Sequence, residues 1–234
     1  HFFHVAALTT LNASEEDCLR MNLHGTEEAL KLAWILKTNG SLKRFYYFST
    51  AYVSGSLGEC YAHEDTVPAD PKFANFYESS KYQAESRVRA AKEDGLPVTI
   101  FRPSIVVGHS ETGEVGEFNV IYPFMKLFAH GILSKLPTHP ENAFNIVPID
   151  FVTRASLHIA FKEESLGKTY HLVSQEPPTI GMLLRVKDVE YPQLPPVEVL
   201  NPQNFRKSDL DAMEQYVFEM LEPYMGYLNG GLTF

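Results

Sequence analysis

The chain contains 234 residues, of which 44% are hydrophobic and 21% are charged, a composition that suits one large folded domain or two small ones. Its 20 Lys and Arg residues against 29 Asp and Glu residues give a net charge of -9, which argues against a nucleic acid or an anionic membrane surface as its partner. The two cysteines, Cys18 and Cys60, form no disulfide framework, so we expect a reducing, cytoplasmic compartment, and no apolar run approaches the roughly 20 residues of an integral membrane segment.

The first half of the chain alternates short apolar runs with amphipathic stretches. The run "FFHVAA" (2–7) predicts a buried strand, and the following 3-4 spacing of apolar residues predicts a helix from Ser14 to a C-cap at Gly40. The runs "RFYYFST" (44–50) and "VTIFRP" (98–103) predict two further strands with a second helix between them. Because strands and helices alternate with short links, we expect an α/β fold with a doubly wound, Rossmann-type parallel sheet.

The pattern is looser in the second half, beyond residue 107. It predicts a helix near residues 123–130, a strand at 169–174 and a late helix at 208–221. The segment "EYPQLPPVEVLNP" reads as a proline-rich connection. We therefore expect a smaller C-terminal lobe beside the sheet.

The stretch "NFYESSKYQAES" carries the residues with the clearest chemical meaning. Tyr77 and Lys81 are four residues apart in a predicted helix, so their side chains lie on one face. Thr50 ends the second predicted strand, and the carboxyl ends of parallel strands share one edge of the sheet, where ligands bind. A nearby ammonium lowers the pKa of a phenol from about 10 and improves it as a proton donor. The trio therefore predicts a site that protonates a developing oxyanion, with a nicotinamide cofactor as the missing electron source.

Together these segments resemble an extended short-chain dehydrogenase/reductase entered at its fourth strand, and most closely its fatty acyl-CoA reductase and thioester reductase branch, the male-sterility NAD-binding proteins. The resemblance implies that residues 1–107 are part of an NAD(P)-binding Rossmann domain and that 108–234 are a substrate lobe interleaved with the last strands. It also implies earlier βαβ units with a G-x-G-x-x-G turn, which is absent from these 234 residues. The matching motifs, in order, are "HVAA", "NLHGT", "STAYVSG", "YESSK", "RPSIVVG" and "NIVPIDFV".

The same resemblance implies roles for individual residues. Tyr77 would be the proton donor, Lys81 would tune it and hold the cofactor ribose, and Thr50 would hydrogen-bond the substrate oxygen. NADP(H) is expected ahead of NAD(H). Asn22 is open between a structural hydrogen bond and a cofactor contact, and Arg102 is expected to form a salt bridge in the core. The residues implied in cofactor binding are Val5, Ala6, Ala7, Asn22, Tyr77, Lys81, Pro103, Ser104 and Ile105.

No metal site is predicted, because Cys60, His63 and Asp65 are three scattered donors without a fourth. The predicted reaction is hydride transfer to an acyl thioester, on CoA or a carrier protein, which gives an aldehyde. A sugar-nucleotide epimerase or dehydratase is the first alternative, although Ile105 stands where those relatives carry a substrate-holding asparagine. A non-enzymatic dinucleotide sensor is the second, and the Tyr77–Lys81 pair argues against it.

The stretch 116–133 is apolar on more than one helical face, so part of it could line a pocket for an alkyl chain. Lys126 is its only cationic side chain. The apolar residues are Phe118, Val120, Ile121, Phe124, Met125, Leu127, Phe128 and Leu133.

Overall fold

A computed structural model describes residues 1–55, 60–116, 120–230 and 232–234 of the chain. Phe118 of the apolar stretch and the side chain of Cys60 lie outside what it describes. The strands are β1 (Phe2–His4), β2 (Phe45–Phe48), β3 (Cys60–Tyr61), β4 (Val98–Pro103), β5 (Ile105–Val107), β6 (Lys135–Pro137), β7 (Ile146–Pro148), β8 (Thr169–Leu172), β9 (Glu198–Leu200) and β10 (Leu232–Thr233).

Helices connect and cover these strands. A π-helical segment, Leu19–His24, joins the first helix (Glu15–Cys18) to the second (Gly25–Thr38). A short 3-10 turn, Ala51–Ser54, follows β2. The helices are α1 (Glu15–Cys18), α2 (Gly25–Thr38), α3 (Phe76–Glu93), α4 (Ile121–Ala129), α5 (Ile149–Ala160), α6 (Ile180–Glu190), α7 (Ala212–Leu221) and α8 (Met225–Asn229).

The central sheet has four strands in the order β1-β2-β4-β8, and every neighbouring pair is parallel. Parallel pairs also join β5 to β7, β6 to β9 and β3 to β10. This arrangement confirms the predicted α/β parallel sheet. The carboxyl ends of β1, β2 and β4 therefore lie at the same edge, as the predicted site requires.

Successive side chains of β2 enter two different cores, because side chains alternate across a strand. Phe45 and Tyr47 pack with residues of α2 and α3 on one face of the sheet. Tyr46 packs with Val152 and Ala160 of α5 on the other face. The sheet is thus covered on both sides, which is why its strands read as continuous apolar runs.

A third core joins the C-terminal lobe to the sheet: α4, α6, α7 and α8 contribute buried apolar residues to it, and so do Leu11, Tyr52 and Ile105 of the first half. Strand β8, from the second half of the chain, completes the central sheet. The division into residues 1–107 and 108–234 remains a prediction.

Most predicted elements of the first half are confirmed, whereas several of the second half are corrected. The strand over 98–103 has the predicted bounds, and Ser14 caps the first helix by accepting a hydrogen bond from the Asp17 backbone N–H at 3.1 Å. Sequence reasoning missed α6 entirely and treated β9 as connection. Only the first part of "NIVPIDFV" is strand, because α5 begins at Ile149. Within the described residues, no helix has both the length and the apolar character needed to cross a bilayer.

Candidate active site

Thr50 lies just beyond the carboxyl end of β2, at the N-cap of the 3-10 turn. Its hydroxyl oxygen accepts a hydrogen bond from the Tyr52 backbone N–H at 3.3 Å. The same hydroxyl lies 3.5 Å from the carbonyl oxygen of Pro103, at the end of β4. Thr50 is therefore fixed between the ends of two adjacent strands.

Tyr77 and Lys81 are presented by the first turns of α3. Asn75 caps this helix, since its side-chain oxygen accepts a hydrogen bond from the Glu78 backbone N–H at 3.0 Å. The cap fixes where the helix begins, and the four-residue spacing then directs both side chains to one side.

The three side chains line one cleft of about 500 Å³ at the carboxyl edge of the sheet. Of the other predicted site residues, Ala6 and Asn22 do not line it. Sequence reasoning missed the wall formed by α5 and by Tyr227, because no local motif marks residues that only the folded chain brings to the cleft. The predicted residues that do line the cleft are Val5, Ala7, Thr50, Tyr77, Lys81, Pro103, Ser104 and Ile105.

Lys81 is almost fully enclosed, with 2% of its surface exposed. Its ammonium donates a hydrogen bond to the Phe48 carbonyl oxygen at 2.7 Å and lies 4.5 Å from the centre of the Tyr47 ring. Burial lowers the pKa of Lys81 to about 7, and the nearby Glu85 carboxylate only partly opposes this effect. Burial therefore weakens the hold of Lys81 on its proton near neutral pH.

The Tyr77 phenol shows the opposite of the predicted pKa change. Burial raises its pKa to about 12, and a hydrogen bond with the Thr50 hydroxyl only partly counters this. The prediction that Lys81 lowers this pKa is wrong for this structure. Desolvation disfavours the phenolate, and it also strips Lys81 of much of the charge that would have stabilised one.

Asn22 holds the backbone that follows β1. Its side-chain oxygen accepts from the Leu8 N–H at 2.7 Å, and its amide donates to the Leu8 carbonyl at 3.1 Å and to the Ser80 hydroxyl at 2.9 Å. Ser80 lies between Tyr77 and Lys81 on α3. Asn22 thus ties the loop after β1 to α3, which supports the structural one of its two predicted roles.

Arg102 behaves as predicted, as a core ion-pair residue behind the site. It is fully buried and donates to both carboxylate oxygens of Glu85, at 3.1 and 2.6 Å. Arg89 donates to the same carboxylate at 2.8 Å. These contacts hold the pKa of Glu85 below its usual value, against the opposing effect of its burial.

The polar groups of the cleft suit a ligand that both accepts and donates hydrogen bonds. Ser104 is 6% exposed, and its buried hydroxyl has no hydrogen-bond partner among the described residues, so a ligand in the cleft could satisfy it. Lys81 is the one charged side chain among the described residues of the lining. The Ser104 hydroxyl and the Lys81 ammonium are suited to hydrogen bonds with the ribose hydroxyls and the carboxamide of a nicotinamide nucleotide. Among the described residues, no three His, Cys, Asp or Glu side chains are grouped to hold a metal ion.

A parallel sheet with a Tyr–Lys helix at its carboxyl edge defines the class of nucleotide-binding α/β proteins. Residues 1–156 match the family described as male sterility protein, an NAD-binding family. The chain belongs to this family, which confirms the resemblance of its motifs.

Several known proteins are similar to the chain. The nonribosomal peptide synthetase asaC of Aspergillus flavus is 32% identical over 186 residues, which are 75% of this chain and 17% of that protein. The aldehyde reductase lnbA of Aspergillus flavus is 29% identical over 164 residues, 65% of this chain and 15% of that protein. The crystal structure of the terminal R domain from the myxalamid PKS-NRPS biosynthetic pathway is 27% identical, with a TM-score of 0.78 over 98% of this chain and 57% of that one. The chain thus matches less than a fifth of the length of the peptide synthetase and of the aldehyde reductase.

Proposed function

We propose that the chain is the part of an NAD(P)H-dependent reductase that reduces an acyl thioester to an aldehyde. The observation that carries this proposal is the convergence of Thr50, Tyr77 and Lys81 in one cleft at the carboxyl edge of the sheet. The similarity to an aldehyde reductase and to a terminal R domain supports it.

A bound nicotinamide cofactor would supply the hydride. Lys81 and Ser104, with Val5, Ala7 and Pro103 around them, are the residues that would hold it. A ligand oxygen that accepts from the Lys81 ammonium would favour its charged form and restore the charge that burial removes.

Tyr77 would deliver the proton. A pKa of about 12 keeps its phenol protonated at neutral pH, so the proton is available when negative charge develops on the substrate oxygen. Thr50 would donate a hydrogen bond to the same oxygen and stabilise that charge. Lys81, one turn further along the helix, would stabilise the tyrosinate that remains.

The chemistry balances when Tyr77 regains a proton from the solvent after each turnover. Addition of the cofactor's hydride to the carbonyl carbon and of the Tyr77 proton to the oxygen would give a hemithioacetal. Its carbon–sulfur bond then breaks as the hydroxyl proton moves to sulfur, and an aldehyde and a free thiol are released.

Two finer points rest on resemblance. We propose NADP(H) ahead of NAD(H), as the reductase branch implies. We propose a thioester held on a carrier protein, with CoA as the alternative, because a similar protein is a nonribosomal peptide synthetase.

The sugar-nucleotide alternative is less well supported by the lining of the cleft. Ile105 is buried there and offers no side-chain hydrogen bond. The diphosphate of a sugar nucleotide, in addition to that of the dinucleotide cofactor, would need cationic partners. The described lining of the cleft carries only Lys81.

The test is to give the full-length protein acyl-CoAs, acyl-pantetheines and UDP-, dTDP- and GDP-sugars with NADPH or NADH. Nicotinamide absorbance and product formation are both followed, because epimerisation causes no net absorbance change. Aldehyde and free thiol in equal amounts are expected from a thioester. Conversion of a nucleotide-sugar with no thioester reduced would replace this proposal with the alternative, and no saturable binding of either dinucleotide would exclude both.

A further inference from the structure

A second cavity lies in the C-terminal lobe, between α4 and α6. It has a volume of about 300 Å³. Ile121, Phe124, Met125 and Phe128 line it from α4, at the spacing of one helical face. From α6 the lining includes Ile180, Leu183, Leu184 and Lys187, again at the spacing of one helical face.

The chemistry of this cavity, which we call the lobe pocket, favours an apolar occupant. Lys187 is the one charged side chain among the described residues that line it. Its ammonium already donates to the Pro195 carbonyl oxygen at 2.8 Å and pairs with the Asp188 carboxylate at 2.6 Å. No free cation is therefore left in the described lining to hold an anionic or strongly polar ligand.

The lobe pocket and the active-site cleft are lined by consecutive residues of the chain at two places. Val120 lines the cleft and the next residue, Ile121, lines the pocket. Tyr227 lines the cleft and Leu228 lines the pocket. Successive Cα atoms are about 3.8 Å apart, so the two cavities are neighbours at both places.

Val120 is also the backbone outlier of the described residues. Its φ of 46° is the one positive φ outside glycine that they contain. A β-branched side chain strongly disfavours this region, and such strain concentrates at ligand clamps and switch points. The strained residue lies where the chain turns from the cleft into α4.

We propose that the lobe pocket holds the alkyl part of the acyl thioester, which reaches it from the cleft past Val120 and Tyr227. The proposal rests on the proposed function and adds to it the place of the acyl chain. A dry apolar cavity of about 150 Å³ holds one benzene ring, so twice that volume accommodates roughly 12 carbon atoms.

The pocket also has an outer end, because Met125, Val186 and Tyr191 line it and are exposed to solvent. A chain longer than the pocket can therefore continue into water. Affinity should rise with chain length and then level off, rather than fall sharply.

Binding is tested without the reaction, using S-alkyl pantetheine thioethers, which have no carbonyl to reduce. Their dissociation constants for the full-length protein are measured by calorimetry for alkyl chains of increasing length. Each buried methylene should tighten binding about fourfold until the pocket is full.

Two variants fill the pocket, and a third is a matched control. Leu184→Trp places a larger side chain in the lining, and Ala129→Phe does so from the end of α4. Both should bind short thioethers like the wild type and lose the gain for long ones. Val189→Trp, on an exposed position of α6 outside the pocket, should keep the wild-type dependence on length.

Wild-type affinity that does not depend on chain length would overturn the proposal. So would an unchanged length dependence in both filling variants. If the length dependence is found but the wild type reduces no thioester, the pocket binds an alkyl chain and the proposed reaction is the part that fails.

Discussion

The burial of Lys81 predicts that the active site reduces the stability of the protein at neutral pH. The pKa of this side chain falls from 10.5 to about 7 on folding. Below pH 7 the folded protein carries a buried Lys81 ammonium, and its free energy of unfolding is lowered by the full cost of burying that charge. Between pH 7 and pH 10.5 the unfolded chain binds a proton that the folded protein does not, so this group makes stability rise with pH.

The size of the effect follows from the same shift. A difference of about 3.5 pKa units corresponds to roughly 5 kcal/mol at low pH, an upper figure for a group that is 2% exposed. Replacing the lysine with methionine removes this cost but also removes the hydrogen bond to the Phe48 carbonyl, which is worth about 1–3 kcal/mol if that oxygen is left unpaired. At pH 7 about 4 kcal/mol of this cost remains, so Lys81→Met should be about 1–3 kcal/mol more stable than the wild type there.

Urea unfolding of the ligand-free, full-length wild type and Lys81→Met at pH 7 and pH 9 checks this. Over these two pH units the wild type should gain about 2–3 kcal/mol relative to the variant, since only the wild type has this titrating group. Lys162→Met, which removes an exposed lysine, is the control and should show no such change. The same stability difference between Lys81→Met and the wild type at both pH values would refute the reasoning.

Three further predictions concern the groups around the trio. Asn22→Ala leaves both polar groups of the Leu8 backbone without their partner and should lower the free energy of unfolding by about 2–4 kcal/mol, measured by urea denaturation. Arg102→Met should cost up to about 3–5 kcal/mol because it leaves the buried Glu85 carboxylate with Arg89 as its remaining arginine partner, whereas the double variant with Glu85→Leu should recover much of this; equal losses in both would contradict the ion-pair account. Ser104→Ala should leave stability almost unchanged, because its hydroxyl has no partner within the described structure, and should weaken dinucleotide binding about fivefold in a fluorescence titration; an unchanged affinity would remove Ser104 from the cofactor site.

The sequence predicted the first half of the fold well because its central strands, β2 and β4, are buried on both faces and because α1 and α3 begin at recognisable caps, Ser14 and Asn75. Strand β4 is fully buried and mostly apolar up to Arg102, and α3 begins after the Asn75 cap. These local signals agree with the tertiary structure, which brings Thr50, Tyr77 and Lys81 to one cleft. Their catalytic roles stay a prediction.

The missed elements have weaker local signals. Helix α6 leaves Met182, Val186 and Val189 exposed, so its apolar residues surround the helix and give no clear face. Strand β9 is three residues long and follows two prolines, Pro195 and Pro196. Such segments are defined by their partners in space, which the sequence does not reveal.

The pKa values could not be predicted from spacing alone. The sequence shows that Lys81 and Tyr77 share a helical face, but the direction of both shifts depends on how completely the fold removes water from them. Spacing identifies the pair, and burial determines its charge.

The most direct test of the proposed mechanism is the Tyr77→Phe variant, which keeps the ring and removes the proton. Thioester reduction by the full-length protein is followed as aldehyde formed per nicotinamide consumed, and dinucleotide affinity is measured in parallel. Turnover should fall by roughly 100-fold or more, with cofactor affinity little changed, because only the proton donor is lost. Near-normal turnover in Tyr77→Phe would show that another group protonates the substrate oxygen.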